Sequence, residues 1–526
     1  MSTVIEKSAT ALPVRRPVAA LVGAALGGAA LQLTPVGAAA QKVQMDLSLE
    51  TQATASSNPS QLAGNGHQAD LILDLRPRMR VRSVGSGLRL DINAGAIARK
   101  YTQGTSGDRL EPDVDARVGA EVIDGWVTLD GSVRVFAGTT DPFVGRGQSS
   151  ADITPGSYRQ QRATLSPRLR RDLGPDWQLR AHSENAWQRS EDPNGSLGVR
   201  ELTHTTENAV RLERRAVPVG VSLDVRSQRQ KNSASVQDGT VLAIDATRLG
   251  ASYRAAPTLI AGVTAGTERS TYLSRDDRDS LVGVNVDWQP NERTWLRGST
   301  EKRFFGQAFD VALGYRSPFL AVNATWTKQP GLSANTLGAG GAGGDVSALL
   351  DSLLTTRIPN PVERAAAVNR LIAERGLPTR LGQASEFVDQ TPQLVQNGSL
   401  QLVLLGVRHS VALGLFSRSA RELTRQGELS LGLSPSDFRQ QGGNLLFSRR
   451  LTPTMTLGLS AERTVTEGLA AQAGDYLRDY RLRTDLSKSI SPRTQVTVSL
   501  GRQILKYNRS GTATETRAQV GLVQNF

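Results

Sequence analysis

The sequence has 526 residues, no cysteine, 38% hydrophobic residues and a mean hydropathy of −0.30. These values exclude a disulfide framework and a helical membrane bundle, because each helical span needs about 20 consecutive apolar residues. The formal charge is +13, and arginine far outnumbers lysine, which favours anionic partners. A GC-rich genome, which encodes arginine freely, would give the same bias.

The first 40 residues predict a cleavable secretory signal peptide. Lys7, Arg15 and Arg16 form a basic start, residues 18–33 are apolar, and Ala38-Ala39-Ala40 gives the small-x-small pattern before a cleavage site. We therefore expect residues 41–526 to be exported, which removes nucleic acid as a partner.

Apolar and polar residues alternate along almost the whole exported region. Val43, Met45 and Leu47 begin the pattern, and residues 282–288 and 496–500 repeat it far downstream. A strand with one apolar and one polar face is the unit of a membrane β-barrel, which needs an apolar residue only at every second position.

Short turns, such as residues 123–125 and 289–291, alternate with long polar loops, such as residues 138–156 and 230–240. The pattern predicts an all-β, antiparallel up-and-down transmembrane barrel over residues 41–526, with about 22 strands in a range of roughly 16–22 and both termini in the periplasm. One outer connection, between Phe305 and Phe309, is unusually short. A soluble β-sandwich, β-helix or propeller is disfavoured because no fixed repeat occurs.

Six aromatic residues are predicted to lie at one membrane interface of the barrel, because each begins or ends a strand next to a short turn. They are Trp126, Trp177, Trp288, Trp295, Tyr253 and Tyr315.

Residues 331–392 interrupt the strand pattern and predict a helical insert. A glycine-rich stretch precedes a short helix from Val346 to Leu354, and a second helix starts with Asn360 as N-cap and Pro361, runs to about Arg375 and stops at Gly376. Strand parity places the start of the insert at the outer side. We expect it to cap the mouth or to fold into the lumen as a plug, with a surface decoration as the alternative.

Two groups of arginines occupy one face of a predicted strand each. They are Arg76, Arg78, Arg80 and Arg82, which form a ladder, and Arg168 and Arg170. Arginine facing lipid at mid-membrane costs about 2–4 kcal/mol, so these side chains should face the lumen. They would make an electropositive channel, or they would pair with acidic residues across strands and brace the wall.

The last strand resembles the C-terminal signal by which the barrel-assembly machinery recognises its substrates. Gln519, Gly521 and Phe526 match this signal, whereas Gln524 stands where an aromatic residue is usual.

The order of several segments resembles the outer-membrane barrel proteins associated with PEP-CTERM/exosortase and exopolysaccharide gene clusters. These segments are residues 301–306 (EKRFFG), residues 314–318 (GYRSP), the insert around residues 360–376, and the hairpin at residues 400–419. The resemblance implies an outer-membrane location and a link to polysaccharide secretion, with periplasmic export proteins as partners.

No set of residues predicts catalysis, a metal site or a cofactor. The four histidines are isolated, and His182-Ser183 and His409-Ser410 are strand neighbours that point to opposite faces. We expect a non-enzyme that contacts outer-membrane lipid. The main hypothesis is a pore or export channel for anionic polysaccharide or small anions, and the alternative is a non-conducting docking barrel for a secretion or surface-polymer system.

Overall fold

The computed structural model describes most of the chain after residue 42. The described residues are 43–64, 67–84, 87–139, 142–145, 157–191, 200–232, 240–272, 275–331, 346–377, 381, 392–423, 437–508 and 511–526. The predicted signal peptide, residues 1–40, lies outside the described residues.

The alternating segments form 22 strands in one sheet. The strands are β1 Val43–Ser56, β2 Asp70–Val84, β3 Leu88–Tyr101, β4 Arg109–Ile123, β5 Val127–Thr139, β6 Ser157–Asp172, β7 Trp177–Glu191, β8 Arg200–Arg214, β9 Val219–Asn232, β10 Thr240–Ala256, β11 Leu259–Tyr272, β12 Arg275–Asn291, β13 Thr294–Arg303, β14 Gly306–Arg316, β15 Leu320–Gly331, β16 Gln393–Leu405, β17 His409–Glu422, β18 Phe438–Thr452, β19 Met455–Gly468, β20 Tyr476–Ser491, β21 Thr494–Tyr507 and β22 Gly511–Asn525.

Every strand pairs antiparallel with its neighbour in sequence, and β1 pairs with β22, so the sheet closes on itself. Closure leaves no strand edge, which matters in a bilayer because an unpaired backbone group in hydrocarbon costs several kcal/mol. The structure confirms the predicted antiparallel barrel of 22 strands.

The strand register gives the wall two chemically different faces. On β2, Leu71, Leu73 and Leu75 point outward and are 42%, 41% and 45% exposed, whereas Asp74 and Arg76 point inward. Directly paired residues share a face, and the same alternation continues around the barrel to β22. A belt of exposed leucine and valine suits contact with hydrocarbon, and the polar inner face suits water. On β7 and β8 the outward belt is interrupted by Ser183, Asn185, Thr206 and Asn208, which face the same side as Val210 and Leu212.

The two ends of the barrel differ in their connections. At one end, which we call the turn end, strands are joined by short turns, for example between Ala256 and Leu259 and between Thr452 and Met455. The other end, the loop end, carries most of the long connections and the two-residue turn Phe304-Phe305. The sequence predicts a short connection here but places it slightly later, between Phe305 and Phe309, whereas β14 already starts at Gly306. In bacterial barrels the short turns are periplasmic, so we expect the loop end to face outward.

The insert, residues 332–392, joins β15 to β16 at the loop end, where Gly331 pairs directly with Gln393. It contains α1 (Val346–Leu354) and α2 (Pro361–Arg375). The backbone N–H of Glu363 donates to Asn360 Oδ1 at 3.5 Å, and Gly376 follows α2 with a φ of +60°, so both caps are those that the sequence predicts. Among the described residues, no helix is long and apolar enough to cross a bilayer.

Although the insert starts at the loop end, its helices lie inside the barrel near the turn end. The buried face of α1, including Val346 and Leu350, packs against Ala321, Val403 and Ala412 of β15 to β17. These three wall residues face inward, because the register leaves their strand neighbours exposed on the outside.

Candidate functional site: the lumen

The ladder arginines line the lumen, and the two nearer the loop end, Arg76 and Arg78, form ion pairs with carboxylates. Arg76 lies 3.3 Å from Glu50 and 2.8 Å from Asp74, and Arg78 lies 3.2 Å from Glu50 and 3.6 Å from Asp113. Cross-strand pairs of opposite charge stabilise a sheet. These contacts favour the bracing role over a row of free positive charges.

The two ladder arginines nearer the turn end, Arg80 and Arg82, lie further from their carboxylate partner. Arg80 and Arg82 share Asp91, at 3.6 Å and 3.9 Å, and the Arg82 guanidinium also donates to Asn369 Oδ1 of α2 at 3.4 Å. The insert therefore reaches from β15–β17 across the lumen to β2, and Arg82 of the ladder contacts α2.

The second predicted group of arginines also faces the lumen. Arg168 lies 3.2 Å from Asp130, and both side chains are about half exposed. Arg170 lies opposite Arg180 in the register, and Arg180 is paired with Glu213 at 2.6 Å. Arg170 is therefore less matched by carboxylate than the other predicted lumen arginines.

The most buried ion pair of this part of the wall joins Asp74 of β2 to Arg99 of β3, next to Arg76. The Arg99 guanidinium donates through Nε and Nη2 to the two oxygens of Asp74, at 2.7 Å and 2.8 Å. The side chains of Arg99 and Asp74 are 3% and 1% exposed. This bidentate pair anchors the charged face of β2 and β3.

A cavity of about 300 Å³ opens on the inner wall where the barrel closes, between β2 and β20. Its lining includes the guanidinium groups of Arg76, Arg483 and Arg517 and the carboxylate of Glu50. Arg483 and Arg517 were not among the predicted lumen residues, because their place beside Arg76 depends on closure between the first and last strands. Glu50, Asp485 and Glu515 each pair with one of these guanidinium groups, so the chain's own carboxylates balance the positive charge of the cavity.

A positive position lies where the insert meets the turn end of the wall. The carbonyl of Arg375, at the end of α2, accepts a hydrogen bond from Ser448 of β18. The Nε and Nη1 atoms of Arg375 are buried without a hydrogen-bond partner among the described residues. Burial, with help from nearby Arg450, lowers the pKa of Arg375. Sequence reasoning assigned Arg375 only as a helix end, since its neighbours come from a distant strand.

The loop end of the lumen is narrowed by the connection between β5 and β6. Phe143 of that connection packs against Val395, Ala420 and Phe438 of β16 to β18, on the opposite side of the strand order. A side chain at Gly145 would collide with Tyr507 of β21, so the backbone lies directly on that strand. The lumen is thus partly covered at both ends.

Five of the six predicted interface aromatics are exposed on the outer surface or at the turn end. Trp126, Trp177, Trp288, Tyr253 and Tyr315 are 43%, 38%, 43%, 56% and 41% exposed.

Trp295 lies at the same end of the barrel but on the inward face, opposite Gly314, with the Arg297 guanidinium 5.4 Å from its ring centroid. The prediction that all six aromatic residues contact the membrane interface is therefore wrong for Trp295, which faces the lumen. The bare Gly314 backbone leaves room for the indole inside the wall.

The residues of the predicted assembly signal lie on the closing strand. Gln519 and Gly521 face inward, opposite Thr54 and Gln52 of β1, and the backbone N–H of Phe526 donates to Leu47 O at 2.9 Å. The Phe526 ring is 69% exposed.

No catalytic arrangement is evident among the described side chains. His182 lies 3.7 Å from Glu207 in the lumen, whereas the ring of His204 stacks on Trp187 on the outward face, with centroids 5.1 Å apart. Within the described residues, no group of three or more potential ligands could hold a metal ion.

These features define a class, the membrane-spanning β-barrels with a partly filled lumen. No protein-family model matches the sequence, and no curated protein resembles it. Among solved structures, the siderophore receptor PiuA from Acinetobacter baumannii is similar at 10% identity and a TM-score of 0.44, over 91% of this chain and 82% of that one. The FrpB iron transporter from Neisseria meningitidis gives 10% and 0.46, over 91% and 81%.

The outer membrane protein opdK from Pseudomonas aeruginosa is similar at 10% identity and a TM-score of 0.31, over 92% of this chain and 99% of that one. At these values the similarities assign neither a substrate nor a partner to this chain.

Proposed function

We propose that this protein is an outer-membrane channel that passes small anions or an anionic polysaccharide through a lumen narrowed by the insert. The observation that carries the proposal is a closed, polar-lined barrel whose lumen holds two helices, attached to the wall by the apolar face of α1 and by a few hydrogen bonds of α2. An apolar contact between a helix and a wall is non-directional, so it can open without breaking the wall's hydrogen-bonded ladder.

The preference for anions rests on Arg375, whose Nε and Nη1 atoms have no hydrogen-bond partner among the described residues, and on Arg450, which lies near it where α2 meets β18. Rings of arginine side chains are a common source of anion selectivity in pores.

A polysaccharide substrate is the finer part of the proposal, and the resemblance to exopolysaccharide-linked barrels motivates it. The inner face of β15 and β16 carries neutral hydroxyl and amide groups, including Asn323, Thr325, Ser399 and Gln401. Such groups can exchange hydrogen bonds with sugar hydroxyls. A polymer would require the insert to move, whereas small anions would pass around it.

The experiment is conductance in planar bilayers under a salt gradient, with and without the insert. Because Gly331 pairs directly with Gln393, an Asn-Gly hairpin can replace residues 332–392 without changing the register. We expect wild type to conduct weakly with an anion-selective reversal potential, and the deletion to conduct several times more. Cation selectivity, or a deletion variant that stays silent, would contradict the proposal.

The filled lumen favours one second candidate, a non-conducting docking barrel. The chain has no native cysteine, so Arg82→Cys with Asn369→Cys introduces a unique pair at the contact between α2 and β2. A short bis-maleimide bridge should abolish the conductance of a channel. If wild type and bridged protein are equally silent while the deletion conducts, the docking role is favoured.

A further inference from the structure

The outward face of β19 to β21 carries a cluster of basic side chains near the loop end. We call Arg463, Arg478, Arg502 and Lys506 the basic cluster; all four are exposed. Arg478 lies directly opposite Lys506 in the register, and Arg463 lies opposite Tyr480, so the four cations surround one tyrosine ring. The Arg463 guanidinium is 5.8 Å from the centroid of that ring.

No ion pair joins any member of the basic cluster to a side chain in the described part of the protein. Like charges directly opposite each other destabilise a sheet, so an anion from outside the chain would stabilise this arrangement. Glu467 shares this outward face but lies opposite Arg439, one row further toward the loops.

Outward arginines on the wall of β9 to β12 are arranged differently. Arg229 lies 3.7 Å from Asp245, and Arg269 forms a close pair with Asp276. Those pairs neutralise the outer surface with the chain's own carboxylates. The basic cluster therefore differs from these paired arginines in having no carboxylate partner among the described side chains.

An apolar groove of about 860 Å³ runs across β17 to β21 beside the basic cluster. Its lining includes Leu413, Leu415, Leu445 and Leu482, and the Leu415 side chain packs directly over Gly443. The carboxylate-bearing Glu467 also lines the groove. Arg463 and Arg502 line the same groove, so it joins the cluster to the hydrocarbon-facing belt.

We propose that this surface binds a phosphorylated, acylated lipid of the outer leaflet, with its phosphate on the basic cluster and an acyl chain in the groove. Arginine forms strong bidentate hydrogen bonds with phosphate, and tyrosine suits the headgroup level of a membrane. A free phosphate would account for the cations but would leave the adjoining groove unexplained. The site lies on the outside of the wall and is independent of transport through the lumen.

The test is native mass spectrometry of the full-length mature barrel in detergent. The probes are diphosphorylated lipid A, the same lipid with its phosphates removed, and inorganic phosphate. We expect wild type to bind diphosphorylated lipid A, and Arg463→Gln/Arg502→Gln to bind it about a hundredfold more weakly, because two charge-assisted hydrogen bonds are lost. The matched control, Arg229→Gln/Arg269→Gln, removes two outward arginines and should bind like wild type.

A second variant separates the acyl groove from the charge. Ala461 is exposed and lies between Leu445 and Leu482 in the register, so Ala461→Trp should fill the groove and weaken binding without changing any charge. Heat-dependent migration in SDS gels checks that each variant is folded. Equal affinity for the dephosphorylated lipid, unchanged binding in both variants, or full displacement by inorganic phosphate would overturn the proposal.

Discussion

Two parts of the inner wall differ sharply in chemistry. The wall of β15 to β17 presents small, apolar and neutral side chains near the turn end, such as Ala321, Val403 and Ala412, and it carries α1. The wall of β2 to β4 presents dense ion pairs, with the Asp74–Arg99 pair at its centre. Apolar packing holds the first, and directional charge-assisted hydrogen bonds hold the second.

The difference indicates which part of the lumen can move. Contacts of α1 with its wall can be exchanged for other apolar contacts or for lipid-like occupants at moderate cost. A buried, bidentate ion pair cannot be opened without exposing an unpaired charge in a low-dielectric setting. We therefore expect the wall of β2 to β4 to stay fixed while the insert shifts against β15 to β17.

The largest effect is expected when the apolar contact is broken. Leu350 is fully buried against the wall, so Leu350→Asp would place an unpaired carboxylate in that interface and release α1. We predict a severalfold rise in bilayer conductance and rapid tryptic cleavage within the insert. Ala366→Asp, on the exposed face of α2, is the matched control and should do neither. Unchanged conductance with demonstrated cleavage would separate the insert from gating.

A smaller effect is expected when the charged wall loses one partner. Asp74→Asn removes the carboxylate that binds the buried Arg99 guanidinium through two hydrogen bonds, which should lower the free energy of unfolding by about 3–5 kcal/mol. Asp130→Asn, in the half-exposed pair with Arg168, should cost about 0–1 kcal/mol. Urea unfolding in detergent, followed by tryptophan fluorescence, measures both. Equal losses would show that burial does not set the strength of the inner ion pairs.

The smallest effect concerns selectivity at the junction between insert and wall. Arg375→Gln should reduce the anion-to-cation permeability ratio by about twofold, the size expected for one charge in a wet pore. Arg364→Gln removes the same charge from α2, but Arg364 is paired with Asp351 at 2.7 Å and lies away from Arg450. Reversal potentials compare the two variants, and equal shifts would mean that only net charge matters.

Much of this comparison was predictable from the sequence. Alternation with period two specifies the faces of each strand, and turn residues specify the connections, so the barrel and its strand number follow. The caps at Asn360, Pro361 and Gly376 mark the second helix of the insert. These signals are local. The closure of β1 on β22 is long-range, but it is expected for a barrel, and an even number of strands lets the first and last strands pair antiparallel.

What the sequence could not give depends on register and on contacts between distant segments. The sharing of Asp91 by Arg80 and Arg82, and the inward turn of Trp295 onto Gly314, depend on which residues face each other across strands. One overlooked signal did exist. Residues 402–405 are apolar on both faces, which indicates that something packs on the lumen side of β16.

The direct pairing of Gly331 with Gln393 means that β15 and β16 form an ordinary hairpin whatever lies between them. Formation of the barrel wall therefore does not depend on the insert. We expect that the strands can pair and enter the membrane before α1 and α2 pack in the lumen. The same independence makes the segment between these two residues an exchangeable cassette, in which length and sequence can change without disturbing a single strand.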